Sequence, residues 1–375
     1  MIYFDNAATT KVSDTAAREV LRVMTENFGN PASLHNLGIS AEEEIINAKK
    51  VLAKILSSDN ADIVFTSSGT EANNLAIRGA LYARKRRFNE YVLDSAGHES
   101  VTATAAKLKD EGFSVSEIPP LSSGSGDIEK IIEAVNEKTA LVSFILVNNE
   151  TGSRTDVKSA IKRIKLKNPE TLIHIDCVSA LCKEEISFKK LGADIITISA
   201  HKIHGPKGIG AVIIKKGVRI TPLIYGAAGS LRPGTESTPL IAGFAAAAKE
   251  FYEKMAENEK TVHMINGYLR EHLKEIEGVT ITSPPDANDY VLNFSTNKIK
   301  SEVLLHFFEE NGIYVSSGSA CAKGKSSHVL TDMKLPRESV LSAVRVSLSG
   351  ENTLSEAERF IEVLKKAEEV LIKSF

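Results

Sequence analysis

Cysteine is scarce in this chain: among 375 residues only Cys177, Cys182 and Cys321 occur. Three thiols cannot build a disulfide framework, and they suit a reducing, cytoplasmic compartment. Charge is nearly balanced, with a net charge of −2, so there is no electrostatic case for a nucleic-acid partner. A basic run such as Arg84-Lys-Arg-Arg87 reads as a solvated helix end. No apolar run is long enough to span a bilayer, so no membrane partner is expected. Met1-Ile-Tyr-Phe-Asp5 opens directly on a motif, and no signal peptide is expected. Internal repeats are absent, and Ser122–Gly126 is too brief to be a linker. No metal site is expected.

The most informative segment is Ser199-Ala-His201-Lys202-Ile-His-Gly-Pro-Lys-Gly-Ile-Gly210. It follows the β-branched run Asp194–Ser199 and puts one lysine between a strand end and a Gly/Pro-rich turn. Such a lysine suits a Schiff base with pyridoxal phosphate, with Ser199 and His201 as phosphate donors. A basic, glycine-rich surface loop is the alternative.

Four further segments must then fit the same cofactor. Ile63–Thr66 reads as a strand, Ser67-Ser-Gly69-Thr70-Glu71 as a turn, and Ala72–Arg78 as helix. A helix start after a small-residue turn directs free N–H groups at an anion, so Gly69 and Thr70 would cradle the phosphate. The alternative makes Thr70 an ordinary capping hydroxyl. Thr171–Asp176 reads as a buried strand ending in an acid. Asp176 would pair with the pyridinium nitrogen; otherwise it caps the next helix. One helix-length segment and one strand are expected between Asp176 and Lys202. His98, after the strand-like Tyr91–Asp94, would stack on the ring and move protons, or is a plain loop residue. Leu141–Val147 is another buried strand, and Asn148 and Asn149 after it would bond a ring oxygen or a substrate carboxylate.

The ordered motifs resemble the NifS/IscS-like cysteine desulfurases, in the class V aminotransferase family of fold-type I pyridoxal phosphate enzymes. The resemblance runs through Tyr3–Thr10, Phe28–His35, Thr66–Asn74, Val147–Gly152, Asp176, Ser199–Gly210, Val315–Cys321 and the Val344-Arg345-Val-Ser-Leu run. It implies conversion of L-cysteine to L-alanine, with sulfur passed to Cys321 as a persulfide. An acceptor protein for iron–sulfur cluster assembly or thiolation would take that sulfur. Cys321 lies in a small-residue loop with Lys323 and Lys325 nearby, which favours the thiolate. Cys177 and Cys182 read as small buried residues. Arg345 would clamp the substrate carboxylate through its bidentate fork, or form a structural salt bridge.

Two departures from the family pattern stand out. Ser179 occupies the place of a glutamine that bonds the ring oxygen. The Gly226–Thr235 loop is shortened and lacks a Gln-Glu pair. The surviving Arg-x-Gly-Thr end implies that Thr235 reaches the phosphate of a neighbouring subunit, hence a homodimer. Other class V reactions, selenocysteine lyase or aminotransferase, are the enzymatic alternatives. A degenerate scaffold of the same fold is the non-enzymatic one.

A chain of this length exceeds one compact core. The alternation of helix and strand from about Ala41 to Ile220 implies an α/β large domain. In the fold-type I pattern this is a mainly parallel, seven-stranded sheet with helices on both faces, joined to a smaller α+β domain. The expected domains are 15–245, and 1–14 with 246–375. Helices are expected over Ala41–Leu56, Asp156–Lys167, a long Ile241–Glu275 stretch and Ser355–Phe375. Val291–Phe294 and Ile313–Val315 are expected as strands of the smaller domain, with the N-terminal segment packed back on it.

Overall fold

The computed structural model describes residues 1–317, 326–372 and 374. Along the chain come β1 (Ile2–Tyr3), α1 (Asp14–Thr25), α2 (Asn36–Leu56), β2 (Ala61–Thr66), α3 (Gly69–Arg84), β3 (Glu90–Asp94), α4 (Glu99–Asp110) and β4 (Ser114–Ile118). Next are α5 (Ile128–Ala134), β5 (Thr139–Ile145), α6 (Val157–Lys167), β6 (Leu172–Asp176), α7 (Phe188–Leu191), β7 (Ile195–Ser199) and β8 (Gly210–Lys215). Then follow α8 (Thr238–Glu253), α9 (Met255–Lys274), β9 (Thr280–Ile281), β10 (Val291–Ser295), α10 (Ser301–Glu310), β11 (Ile313–Tyr314) and β12 (Ser316–Ser317). The last are α11 (His328–Asp332), α12 (Arg337–Leu341), β13 (Ala343–Ser347) and α13 (Leu354–Val370).

Among the described residues, seven strands form one sheet in the order β2-β8-β7-β6-β5-β3-β4. Strands β4, β3, β5, β6 and β7 pair in parallel. Strand β8 runs antiparallel to both β7 and β2. Two antiparallel steps return β2 to the direction of β7, so every strand but β8 ends at the same edge. Strands β5, β6 and β7 are buried throughout, as continuous apolar runs in a covered parallel sheet are. Leu141 and Val142 of β5 face opposite core clusters, the two-residue alternation of a strand. Chain order reverses between β3 and β5, with β4 outside β3 and β6 beyond β5. A crevice opens at such a switch, outside the carboxyl ends of the strands.

A second core lies on the four-stranded antiparallel sheet β12-β13-β10-β9. Leu269, Phe308 and Phe360 of α9, α10 and α13 cover it. Phe308 stacks on Phe360 with centroids 4.8 Å apart. Fully burying one such ring contributes roughly 2–3 kcal/mol. The N-terminal segment packs here: Phe4 joins this core, β1 pairs in parallel with β11, and Asp5 bridges Ser347.

Several expected elements differ in detail. The Ile241–Glu275 stretch is two helices, α8 and α9, separated at Lys254 (φ −93°, ψ 2°). The break follows from the two cores: Phe251 of α8 packs in the large one, Val262 and Ile265 of α9 in the other. Helix α2 starts at Asn36 rather than Ala41, because the His35 ring accepts from Gly38 N. Asp156 caps α6 rather than opening it. The strand expected at Ile313–Val315 is present over Ile313–Tyr314, where it pairs with β1 in the second core. The closing helix stops at Val370, and Leu371 is extended (ψ 144°).

Candidate active site

The carboxyl edge of the large sheet gathers most of the residues singled out in the sequence. Asp176 ends β6, Ser199 ends β7, and His98 follows β3 by a short turn. Lys202 closes the 3-10 turn Ala200–Lys202 directly after β7. Asn149 follows β5, and the α3 N-terminus follows β2.

The start of α3 is open to a ligand. Ser68, not Thr70, is the cap: its hydroxyl accepts from Glu71 N at 3.2 Å. Capping is therefore not the role of Thr70, whose side chain opens with His98 onto one surface recess of about 450 Å³. Gly69 sits where a Cβ would lie 3.0 Å from Val178 Cγ2 and 3.5 Å from Ser199 Cβ. Glycine thus lets the helix start pack closely on the turn after β6 and the end of β7. The Glu71 carboxylate closes the outer side. It accepts from Ser67 N at 2.6 Å and from Arg232 Nε at 3.0 Å. Burial alone would raise that carboxyl; the Ser67 and Arg232 donors more than offset it and hold it below the usual range.

Asp176 is almost fully buried and accepts from Asn73 Nδ2 at 2.8 Å and Val178 N at 2.9 Å. His98 caps α4, its Nδ1 accepting from Ser100 N at 3.1 Å. Burial lowers its proton affinity; the Asp176 carboxylate partly offsets this, and Lys202 adds to it. His201 is pushed down to about 4 by burial, with Lys202 and Lys207 adding to the effect. Lys202 Nζ donates to Ala7 O and to Ala8 O, so the N-terminal motif lies directly over the lysine. Thr10 fastens that motif, donating to His201 O at 2.9 Å.

Arg345 reaches the site from the other core. It lies in β13, is 1% exposed, and donates to Asp5 Oδ1 at 2.9 Å and Asn149 O at 3.1 Å. Arg345 thus forms the structural salt bridge that was its alternative reading, and its guanidinium also faces the loop after β5. Asn148, adjacent to Asn149, is structural. Its Oδ1 accepts from Glu150 N and Thr151 N, and its Nδ2 donates to Ala96 O.

Other expected residues are less engaged. Ser179 is half-buried in the turn after Asp176. The crossover there is mostly turn, with α7 spanning only Phe188–Leu191 rather than a full helix. Cys182 in that turn has a left-handed φ of 54°, which interrupts helix. Cys177 and Cys182 are buried, as expected. Thr235 is exposed and borders a different surface recess, with Asn30, Glu42 and Lys49. Cys321 lies outside the described residues. Next to that segment, Ser327 caps α11 and donates to the buried Glu150 carboxyl. Burial raises the Glu150 carboxyl, opposed by the Ser327 donor.

Sequence reasoning missed the polar layer behind Asp176: Asn73, Ser100, Thr197 and His174. All are buried. The available signal was Asn73, a polar residue on the inward face of α3 between Ala72 and Leu75, Ala76.

An amine, a buried carboxylate, an imidazole and a helix start thus gather at one sheet edge. That donor set fits a flat, nitrogen-containing ring that carries a phosphate. The phosphate would lie at the α3 start, where backbone N–H groups and the helix dipole favour an anion.

The Aminotransferase class-V family profile matches residues 2–360. Cysteine desulfurase IscS of Clostridium botulinum is 36% identical, covering 97% of this chain and 94% of that protein. Cysteine desulfurase IscS of Methanosarcina thermophila is 35% identical, covering 97% of this chain and 91% of that one. A solved NifS-like protein superposes with a TM-score of 0.94 at 34% identity, over 99% of this chain and 100% of that chain. The chain belongs to the class-V aminotransferase family.

Proposed function

We propose that this protein is a pyridoxal phosphate-dependent cysteine desulfurase. The observation that carries the reading is the arrival of Lys202, Asp176 and His98 at one sheet edge, beside an open helix start. Full-length relatives named cysteine desulfurase support it.

In this reading Lys202 holds the cofactor covalently. Gly69, Thr70, Ser199 and His201 bind its phosphate, and Asp176 faces its ring nitrogen. The cofactor, when bound, supplies an electron sink for bond breaking at the substrate. His98 covers the ring and moves protons. Ser179 stands where the ring oxygen is held in the family, and Asn149 contributes there or at the substrate. Arg345 binds the carboxylate of L-cysteine, sharing its fork with Asp5.

The sulfur step needs a nucleophile, and Cys321 is assigned to it. Its thiolate attacks the substrate sulfur. An S–S bond forms, the C–S bond breaks, and the carbon fragment gains protons to leave as L-alanine. Cys321 then carries a persulfide, which an acceptor protein takes for cluster assembly or thiolation. A homodimer completes the site: Thr235, exposed in one subunit, reaches the partner's phosphate.

The deciding experiment gives the purified protein L-cysteine and a thiol reductant, and measures sulfide and alanine together. Equal amounts are expected. Lys202→Ala loses the visible absorption and both products. Amino transfer to a keto acid without sulfide would overturn the reading. A strictly monomeric protein with full cofactor occupancy, seen by light scattering, would overturn the shared site.

A further inference from the structure

Behind the candidate site, Asn73 joins two of its residues that come from different strands. Its side chain is 1% exposed. Its Nδ2 donates to Asp176 Oδ2 at 2.8 Å and to Ser100 Oγ at 2.9 Å. Its Oδ1 accepts from Thr197 Oγ1 at 2.6 Å. The amide has one sensible orientation. Reversed, it would aim a carbonyl oxygen at the Asp176 carboxylate and leave the Thr197 hydroxyl facing an amino group.

The rest of the network follows from counting protons. Ser100 Oγ accepts from Asn73, so its own proton is available to His98 Nδ1, 2.9 Å away. Ser100 N already donates to that same Nδ1 at 3.1 Å. Two donors aimed at Nδ1 place the ring proton on Nε2 and oppose protonation of the imidazole. On the other side, Thr197 Oγ1 has given its proton to Asn73 and accepts from His174 Nε2 at 3.2 Å. His174 Nδ1 is 3.0 Å from Ser143 Oγ, which donates to it. Burial pushes His174 down to about 4, so this end of the chain is neutral. Each polar atom in the layer has a partner, the condition under which a buried network holds one arrangement.

We propose that Asn73 is a positioning residue that sets Asp176 and His98 together: it orients the Asp176 carboxylate and, through Ser100, fixes His98 as the Nε2–H tautomer. The assignment rests on reading Asp176 and His98 as cofactor partners. It predicts that one amide controls both the ring-nitrogen side and the face of the cofactor.

The test reads His98 in ¹⁵N-histidine-labelled protein, prepared without and with pyridoxal phosphate, with the signal assigned from His98→Gln. Wild type shows the Nε2–H form in both. Asn73→Ala and Ser100→Ala both raise the share of the Nδ1–H form or shift the His98 titration upward. Only Asn73→Ala also weakens pyridoxal phosphate binding, roughly tenfold, the size of one charge-assisted hydrogen bond. Ser100→Ala changes that affinity less than about threefold, since Asp176 keeps both donors. If Asn73→Ala does not fold, Thr197→Val releases the anchored Oδ1 and moves both readouts in the same direction. An unchanged His98 tautomer in Asn73→Ala or Thr197→Val overturns the proposal, as does an Nδ1–H wild type. Failure of wild type to bind pyridoxal phosphate overturns the functional reading alone, because the tautomer is read without it.

Discussion

Arg345 Nη2 donates to Asp5 Oδ1 at 2.9 Å, tying the fifth residue of the chain to a strand near its other end. The consequence reaches Lys202, because Ala7 O and Ala8 O accept from its Nζ. One short N-terminal run therefore spans the assigned substrate clamp and the assigned cofactor lysine. Arg345 Nε is buried with no hydrogen-bond partner among the described residues. That leaves the guanidinium a donor to spare.

Arg345→Lys is expected to raise KM for L-cysteine by about tenfold or more with a smaller change in kcat, since lysine lacks the planar fork. Asp5→Asn leaves a buried guanidinium without its counter-charge. It should cost roughly 1–3 kcal/mol in urea unfolding, less than a fully buried pair because Asp5 is partly solvated. Unchanged steady-state constants in Arg345→Lys would remove Arg345 from the substrate site.

Asp94 governs a pH dependence of stability. Burial pushes its carboxyl up to about 7, opposed only by the Ala96 N–H. Its Oδ2 has no hydrogen-bond partner among the described residues, and a Cβ on Gly126 would lie 2.7 Å from it. Unfolded, the carboxyl titrates near about 4. Between those values the folded state holds a proton that the unfolded state has released. Stability from this group therefore falls as pH rises across that window and is lost above about pH 7. Asp94→Asn mimics the protonated form. Its advantage over wild type should grow by roughly 2 kcal/mol between about pH 5 and pH 8. Urea titrations at the two pH values check this; a constant difference would mean Asp94 is not held protonated.

The three thiols should separate by reactivity. Burial raises the Cys177 thiol well above its ordinary value and pushes Cys182 up to about 12. Iodoacetamide on the native protein near about pH 8 should label Cys321 and spare the other two until the chain unfolds. Cys321→Ala should still change the visible spectrum on adding L-cysteine, yet form no persulfide and release almost no sulfide. Mass spectrometry and a sulfide assay read both. Wild-type sulfide release from Cys321→Ala would end the assigned sulfur route.

Under the proposed function, Ser179 stands where a longer side chain would reach the ring oxygen. Ser179→Gln supplies a longer donor at that turn. It should tighten pyridoxal phosphate retention by about threefold to tenfold, the span of one neutral hydrogen bond. Dialysis against a carbonyl trap measures the loss rate. No change would mean that the ring oxygen is held by another group.

The arrival of Lys202, Asp176 and His98 at one sheet edge was legible in the amino-acid order, because each position depends on a local event. A buried strand stops, and the next residue or turn is delivered to the strand's carboxyl edge. Period, β-branching and Gly/Pro punctuation report such events within a few residues. The glycine at the start of α3 was legible for the same reason, although its cap proved to be Ser68 rather than Thr70. What the order alone left open is whatever depends on which distant segments meet. The Asp5–Arg345 pair joins residues 340 apart in sequence. Asn73 and Asp176 are separated by 103 positions. The division of Ile241–Glu275 into α8 and α9 reflects two cores that claim successive turns of one helical pattern. Side-chain pairing across a crevice has no periodicity to betray it. It is decided only when the sheet order brings β6, β7 and α3 together and buries their polar atoms, which must then find one another.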